Sequence, residues 1–504
     1  MPHMRPPKSP HMRRHLYWLA ASAMAITPAM VQAETLQEAL SAAYANNPTI
    51  AAARAGQRAT DENVPIARAD GLPSLDGSIV YTESLEAGSA SFLSTDRQVR
   101  GSLQLSIPIY QGGIVRNGLH AAETRVEAGQ HLLRGTESSI FSQVVAAYMD
   151  VLRDAAVVAL NRNNVEVLSV NLQATRDRFD IGDLTRTDVA QSEARLALAR
   201  SQQQGAEARL ISSRENYVRL VGHAPENLVA PPLLPGMPAN VTEAEEAALA
   251  DNPDLMAADA SARASGFDVR AARGTRLPRV SLTSSGSYVD FLNTRPGTGP
   301  TPPRQWDNTA SAGVTVTVPL FQGGQPAARV RQAQARETQA LENVVAAERG
   351  VIAQTRSAYA AWQASQAVAQ SSAIAVDANR LSLEGVRAEN SVGTRTILDI
   401  LNAEQEYLNA QVQLVTARRD AYVAGFTLLA AMGRGEARDL NLADGAAGVT
   451  LYNPDDNYNR VRHRIWDWDE DATPVAHSPS TRTSTAQDAN VPANAAEDVA
   501  GPPR

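Results

Sequence analysis

Apolar and polar positions along this chain run through one sequence of periods and then repeat it. From Thr35 to about Asp70 the spacing is helical and rich in Ala, Arg and Glu; Leu72-Pro73 ends it, because proline disfavours helical backbone in the residue before it. The period then becomes two. Val99, Gly101, Leu103, Leu105, Ile107 and Ile109 fall on one face, and Arg100, Ser102, Gln104 and Ser106 on the other. In the second pass Ala310, Ala312, Val314, Val316, Val318 and Leu320 oppose Ser311, Thr315 and Thr317. Partner strands around Leu75 to Thr82 and Val280 to Val289 alternate less cleanly. Strands of about ten residues with one apolar and one small-polar face have the length and pattern of transmembrane β-strands. Two hairpins on a soluble core would also alternate. However, apart from Arg100 these polar faces are Ser, Thr and Gln rather than charged, and no apolar helix is at hand to cover the opposite faces.

After each strand pair the helical period returns and persists. Ile114 to about Ile181 and Ala327 to Val392 contain no proline, and each predicts a helix roughly 100 Å long. Phe141, Val145, Tyr148, Leu152, Ala155 and Ala159, then Val165, Leu168, Leu172, Thr175 and Phe179, follow the three- and four-residue steps of a coiled coil. The chain turns at Gly182 or Gly393 and returns as a shorter helix ending near Gly222 or Gly433. The opening and returning helices together match one long helix. Stacked end to end, they give paired columns with strands at one end and glycine turns at the other.

The duplication is explicit in the residues. Asn47-Pro48 and Leu72-Pro73 recur as Asn252-Pro253 and Leu277-Pro278, 205 positions on. Pro108-Ile109-Tyr110-Gln111-Gly112-Gly113 recurs as Pro319-Leu320-Phe321-Gln322-Gly323-Gly324, 211 positions on, as does Gly182 with Asp188 as Gly393 with Asp399. The six-residue difference falls in the loop Thr294 to Pro303. This organisation predicts a signal peptide over 1–33, a first repeat over 34–223, a Pro-rich linker over 224–241 and a second repeat over 242–435. An irregular segment over 436–473 and a disordered tail over 474–504 follow. Tyr452 to Asp471, aromatic and charged, carries no recognisable motif.

Composition narrows the function. Arg5, Lys8, Arg13 and Arg14 precede a short apolar run and Val31-Gln32-Ala33, the layout of a cleaved export signal rather than an anchor. Without those four charges the formal net charge falls from -8 to -12, which argues against nucleic acid. There is no cysteine, so neither a disulfide nor a cysteine-linked lipid anchor forms, and Lys8 is the single lysine. Schiff-base and thiol catalysis are therefore excluded from the mature chain. His120, His131 and His223 lack metal-ligand spacing, and no catalytic motif is present, so no cofactor or enzyme activity is expected.

Four strands cannot stand alone in lipid, because open edges leave backbone groups unpaired at several kcal/mol each. The barrel must then be shared between chains. Two chains give a side-chain-filled barrel of eight strands, while three give twelve and a lumen. Gly112-Gly113 and Gly323-Gly324, after Pro108 and Pro319, are read as strand-to-helix corners.

The joint order of these motifs resembles the TolC-like outer-membrane efflux proteins over roughly residues 34 to 450. Gly182-Asp183-Leu184-Thr185-Arg186-Thr187-Asp188 and Gly393-Thr394-Arg395-Thr396-Ile397-Leu398-Asp399 are similar to that family's tip regions. The resemblance implies a mainly α fold with β: very long coiled-coil-like helices plus four strands per chain in a trimeric, twelve-stranded outer-membrane barrel. It also implies a helical tunnel through the periplasm of a Gram-negative cell, a periplasmic adaptor, and an inner-membrane transporter of RND, ABC or MFS type. Arg395 matches an Arg that links the tips, Thr187 and Asp188 match its polar partners, and Asp399 matches an acidic ring. Such a ring favours cations and can raise a carboxylate pKa. Asn390 and Asn402 depart from the pattern, standing where the well-known member has a tyrosine and a second aspartate. A weaker lock and lower cation selectivity are implied. Thr185 to Asp188 and Thr396 to Asp399 also fit capping boxes, so Asp188 and Asp399 have a structural reading beside the gating one. Gly182, Leu184, Gly393 and Thr394 are carried as adaptor contacts. Small-molecule efflux, type I protein secretion and a soluble periplasmic scaffold are the competing functions.

Overall fold

The computed structural model describes residues 34–85, 95–295, 300–442 and 449–491. Residues 1–33, where an export signal is expected, the middle of the Thr294 to Pro303 loop and the last residues of the expected tail lie outside the described residues. Each repeat runs helix, two strands, long helix, return helix. The first comprises α1 (Leu36–Asn46), α2 (Pro48–Asp61), α3 (Asn63–Ala69), β1 (Ser74–Glu83), β2 (Arg97–Tyr110), α4 (Ile114–Asp180) and α5 (Arg186–Val221). The second comprises α6 (Val241–Asp251), α7 (Pro253–Gly274), β3 (Arg279–Asp290), β4 (Trp306–Thr317), α8 (Gln325–Ser391) and α9 (Ile397–Ala431); α10 (Pro454–Val461) follows.

The opening helical stretch is not continuous. It breaks at Asn47, whose side chain caps α2 through the Thr49 N–H (2.9 Å) with Pro48 at the first helical position. Asn252-Pro253 does the same before α7. The break joins the columns. Asn47 Nδ2 donates to the Leu220 carbonyl (2.8 Å) near the end of α5, and Asn252 Nδ2 to the Ala431 carbonyl (2.9 Å) at the end of α9. The short helices thus abut end to end beside α4 and α8, each 67 residues and about 100 Å long.

The sheet is antiparallel in the order β1-β2-β3-β4, leaving β1 and β4 as edges. Register sorts its faces. Leu75, Leu105, Ser284 and Ala312 share one face, with Leu103, Leu282, Val314 and Val316. Ser78, Ser102, Ser285, Ser287, Thr309 and Ser311 share the other, where Ser78–Ser102, Ser285–Ser311 and Ser287–Thr309 hydroxyls pair at 2.8 Å. The large apolar side chains of the first face are mostly exposed in the single chain. Two expectations shift. A bulge between Pro108 and Tyr110 sets Tyr110 opposite Val280, so Ile109 leaves the apolar series; Pro108 has no N–H for the ladder. β4 ends at Thr317, so Val318 and Leu320 lie beyond it.

The main core lies where the columns meet. Phe141, Tyr148, Tyr217, Leu210 and Phe426 are fully buried there. Tyr148 Oη donates to the Val229 carbonyl (2.6 Å), pinning the inter-repeat linker. Within the stretch expected to be a tail, residues 487–491 contact α4 and α5. Arg214 binds the Asp488 carboxylate (2.9 Å) and Asn490 carbonyl (2.6 Å), and Val491 packs on the core. Among the described residues no helix is long and apolar enough to cross a membrane.

Candidate functional site

The two glycine turns at the far end of the columns are built alike. Gly182 and Gly393 both have φ +84°, and a Cβ at either position would meet no atom within 4 Å, so it is the left-handed backbone that requires glycine. Asp183 N–H donates to the Arg178 carbonyl (2.9 Å) and Thr394 N–H to the Glu389 carbonyl (3.1 Å), satisfying the ends of α4 and α8. Thr185 and Thr396 then cap α5 and α9. Asp188 Oδ2 accepts from the Thr185 N–H (2.9 Å) and hydroxyl (2.7 Å), and Asp399 Oδ2 from the Thr396 N–H (3.0 Å) and hydroxyl (2.7 Å). The hydroxyl bonds, then the backbone bonds, hold both carboxyls below their usual range. In the single chain the capping reading is therefore realised, and the carboxylates are shifted down rather than up.

Arg395 is held within its own tip. Its Nε donates to Glu389 Oε2 (2.8 Å), and Asn390 Nδ2 donates to the Arg395 carbonyl (2.7 Å). Its hydrogen bond goes to Glu389, not to Thr187 or Asp188, which sit on the other hairpin of the same chain. Asn402 does cross between hairpins, accepting from Arg195 of α5 (2.7 Å). Two residues on, buried Glu404 accepts from Asn171 of α4 (3.1 Å) and Arg387 of α8 (2.9 Å). Glu389, Arg195 and Glu404 do not stand out in the sequence as site residues. Glu404 had a signal: a carboxylate between Leu401 and Leu408 on the apolar seam of α9.

The tips carry opposite charge arrangements. In the first, Arg178 of α4 pairs with Asp183 of the turn (2.6 Å). In the second, Glu389 of α8 pairs with Arg395 of the turn. A cation suits the negative end of a helix and an anion does not, so Arg395 neutralises a charge its helix disfavours. Gly182, Gly393 and Thr394 are exposed and Leu184 is half-buried. Ile181 and Val392, at equivalent positions, are prominently exposed beside them. At the opposite end Gly112, Gly113, Gly323 and Gly324 all have positive φ. Gly112 also abuts Gly274, where a Cβ would lie 2.5 Å from the carbonyl oxygen.

The outer membrane efflux protein family matches residues 39–223 and 245–434, one stretch in each repeat. The chain is 34% identical over 446 residues to the outer membrane efflux protein BepC of Brucella suis biovar 1 (strain 1330), covering 88% of this chain and 94% of BepC. It is 25% identical over 471 residues to the outer membrane protein TolC of Escherichia coli (strain K12), covering 91% and 95%. Its fold superposes on the Campylobacter jejuni CmeC outer membrane channel with a TM-score of 0.71 at 18% identity, covering 92% of this chain and 98% of that one.

Proposed function

Because this chain belongs to the outer membrane efflux protein family, we propose that it forms a homotrimeric channel-tunnel. In this reading it passively conducts small molecules from an inner-membrane pump and periplasmic adaptor to the outside. Family and fold are those of channels rather than enzymes, and the protein belongs to the outer membrane of a Gram-negative cell. The observation that carries the trimer is the unfinished sheet. β1 and β4 have open edges, one face is apolar and the other lined with hydroxyls, and lipid does not tolerate unpaired backbone. Three copies close a twelve-stranded barrel with a polar lumen. Exposed apolar side chains on α8, among them Leu341, Ile374 and Leu381, also favour a neighbouring chain.

The tips form the periplasmic gate in this reading. Arg395, Asp399, Asn402, Thr187, Asp188 and Asn390 from three chains surround one axis. Closure rests on links that opening must exchange, among them Arg395–Glu389 within a tip and Arg195–Asn402 between hairpins. Gly182, Leu184, Gly393 and Thr394, with exposed Ile181 and Val392, present the adaptor's docking surface. An RND, ABC or MFS transporter supplies the energy.

Single-channel recording of the purified protein in a planar bilayer, with cross-linking for subunit number, tests both parts. A small, cation-preferring conductance from a three-chain species is expected. Arg395→Ser or Asp399→Ala should raise or alter it without dissociating the trimer. Wild-type conductance and selectivity in both variants would remove the gate assignment. Failure to insert would remove the channel. Drug sensitivity and secreted protein, measured together in a deletion strain, separate efflux from type I secretion.

A further inference from the structure

We propose that residues 465–468 are a membrane-interface anchor, seating Ile465, Trp466 and Trp468 in the periplasmic-side leaflet of the outer membrane beside the barrel. The family's matched stretches end at residue 434, so this element lies outside them.

Hydrogen bonds fix its height. Asp455, at the start of α10, accepts from Gln130 of α4 (2.9 Å). Asn457 then donates to Asp61 at the end of α2 (2.7 Å). Tyr458 packs on Val64, Ala122 and Val126. Arg68 of α3 finally donates to the Arg462 carbonyl (3.2 Å) and contacts the His463 ring (2.5 Å). The segment therefore climbs α2 and α3 towards the sheet. Only residues 69–73 separate Arg68 from β1, a rise of roughly 7 Å at helical spacing.

Beyond His463 the chain makes a closed turn. Asp469 N–H donates to the Trp466 carbonyl (3.2 Å). Ion pairs tie its neck: Arg460 to Asp471 (2.7 Å), Arg464 to Asp471 (3.1 Å) and Arg464 to Asp469 (3.2 Å). The turn projects Trp466, 75% exposed, and Trp468, 89% exposed, with Ile465. A soluble loop gains nothing by holding two indoles in water, whereas indole favours the boundary between hydrocarbon and headgroups. Leu320 and Phe321, just beyond the end of β4, are exposed apolar side chains as well. The remaining charges suit headgroup depth. Arg462 lies behind the tip, its guanidinium over the Tyr458 ring, while Asp467 and Glu470 flank the indoles and stay in interfacial water. A chain without cysteine for a lipid anchor thus gains a non-covalent one.

The test is fluorescence quenching by brominated phosphatidylcholine. Trp18, Trp306 and Trp362 are replaced by Phe in the full-length protein, leaving Trp466 and Trp468 of the five tryptophans. In vesicles brominated high on the acyl chain these two should lose most of their emission. They should lose less when bromine lies deep. Equal emission with and without bromine overturns the proposal, whether acrylamide quenches it (a solvated loop) or not (a surface covered by a neighbouring chain). If that variant does not reconstitute, Trp468→Cys gives a unique spin-label site in this cysteine-free chain. Greater collision with oxygen than with a water-soluble nickel chelate is expected, and the reverse order overturns the anchor.

Discussion

Glu137 should make the stability of the column junction depend on pH. It lies on α4, where its Oε1 accepts from the Ala437 N–H (2.6 Å), close to the carboxylate of Glu436 that Arg134 and Arg438 hold. Burial pushes its carboxyl from 4.5 up to about 7, opposed by the Ala437 bond and raised further by Glu436. Below 4.5 both folded and unfolded chains are protonated, and stability is unaffected. As pH rises from 4.5 to 7, the unfolded chain releases the proton first, so stability falls; above 7 the loss is constant. At 1.36 kcal/mol per pKa unit the loss comes to about 3 kcal/mol. Glu137→Gln keeps an acceptor for Ala437 but cannot ionise. The variant should match wild type at pH 4 and be more stable at pH 8, raising the thermal midpoint there by roughly 6–12 °C if the chain responds like a domain of a few hundred residues. Circular dichroism melts of the detergent-solubilised protein at one fixed scan rate provide the comparison, since unfolding of such an assembly is read as a rate. A variant that differs from wild type equally at both pH values, or is less stable at pH 8, would refute the burial argument.

Adjacent residues of β4 test the sheet's faces. Ala312→Arg points into lipid in the proposed barrel, should cost about 2–4 kcal/mol near the midplane and should abolish the three-chain species seen by cross-linking. Ser311→Arg points into the lumen and should assemble while lowering conductance; the opposite pattern would invert the faces. Asn47→Ala and Asn252→Ala each remove a cap, about 1 kcal/mol, and orphan a buried carbonyl, about 1–3 kcal/mol. Each should speed hydrogen exchange at the amides of Thr49 or Asp254, and unchanged exchange would show that the junction does not depend on them.

The long helices were legible because Ile114 to Ile181 and Ala327 to Val392 run without proline and leave little else for the chain to do, and the turns because glycine followed by Thr-x-x-Asp has few other uses. The break at Asn47 is encoded locally, although the helical period alone runs straight across it. Asn47-Pro48 was visible as a repeat marker, yet an asparagine cap followed by proline at the first helical position also signals a new helix. β1 alternated poorly in the sequence because Asp76 and Gly77 dilute both faces; only its register with β2 sorts Leu75 and Ile79 from Ser78. The tip contacts were hidden for a different reason. Glu389 and Arg195 are charged residues on exposed helix faces, and nothing local tells a partnered charge from a solvated one. Arg395 reaches Glu389 only through the shape of the turn that follows α8, and Arg195 reaches Asn402 only once the two hairpins are packed side by side. The turn at Trp466 depends in the same way on Arg460 and Arg464 finding Asp469 and Asp471.

The open edges of β1 and β4 also carry a genetic consequence. A barrel stave that cannot pair at one edge does not merely lose its own function; it breaks the ring for the intact copies beside it. Alleles that damage either edge strand while sparing the helices should therefore be dominant, poisoning mixed assemblies in a cell that still makes the wild-type chain. Alleles that prevent folding altogether should be recessive, because a chain that never reaches the ring cannot spoil it.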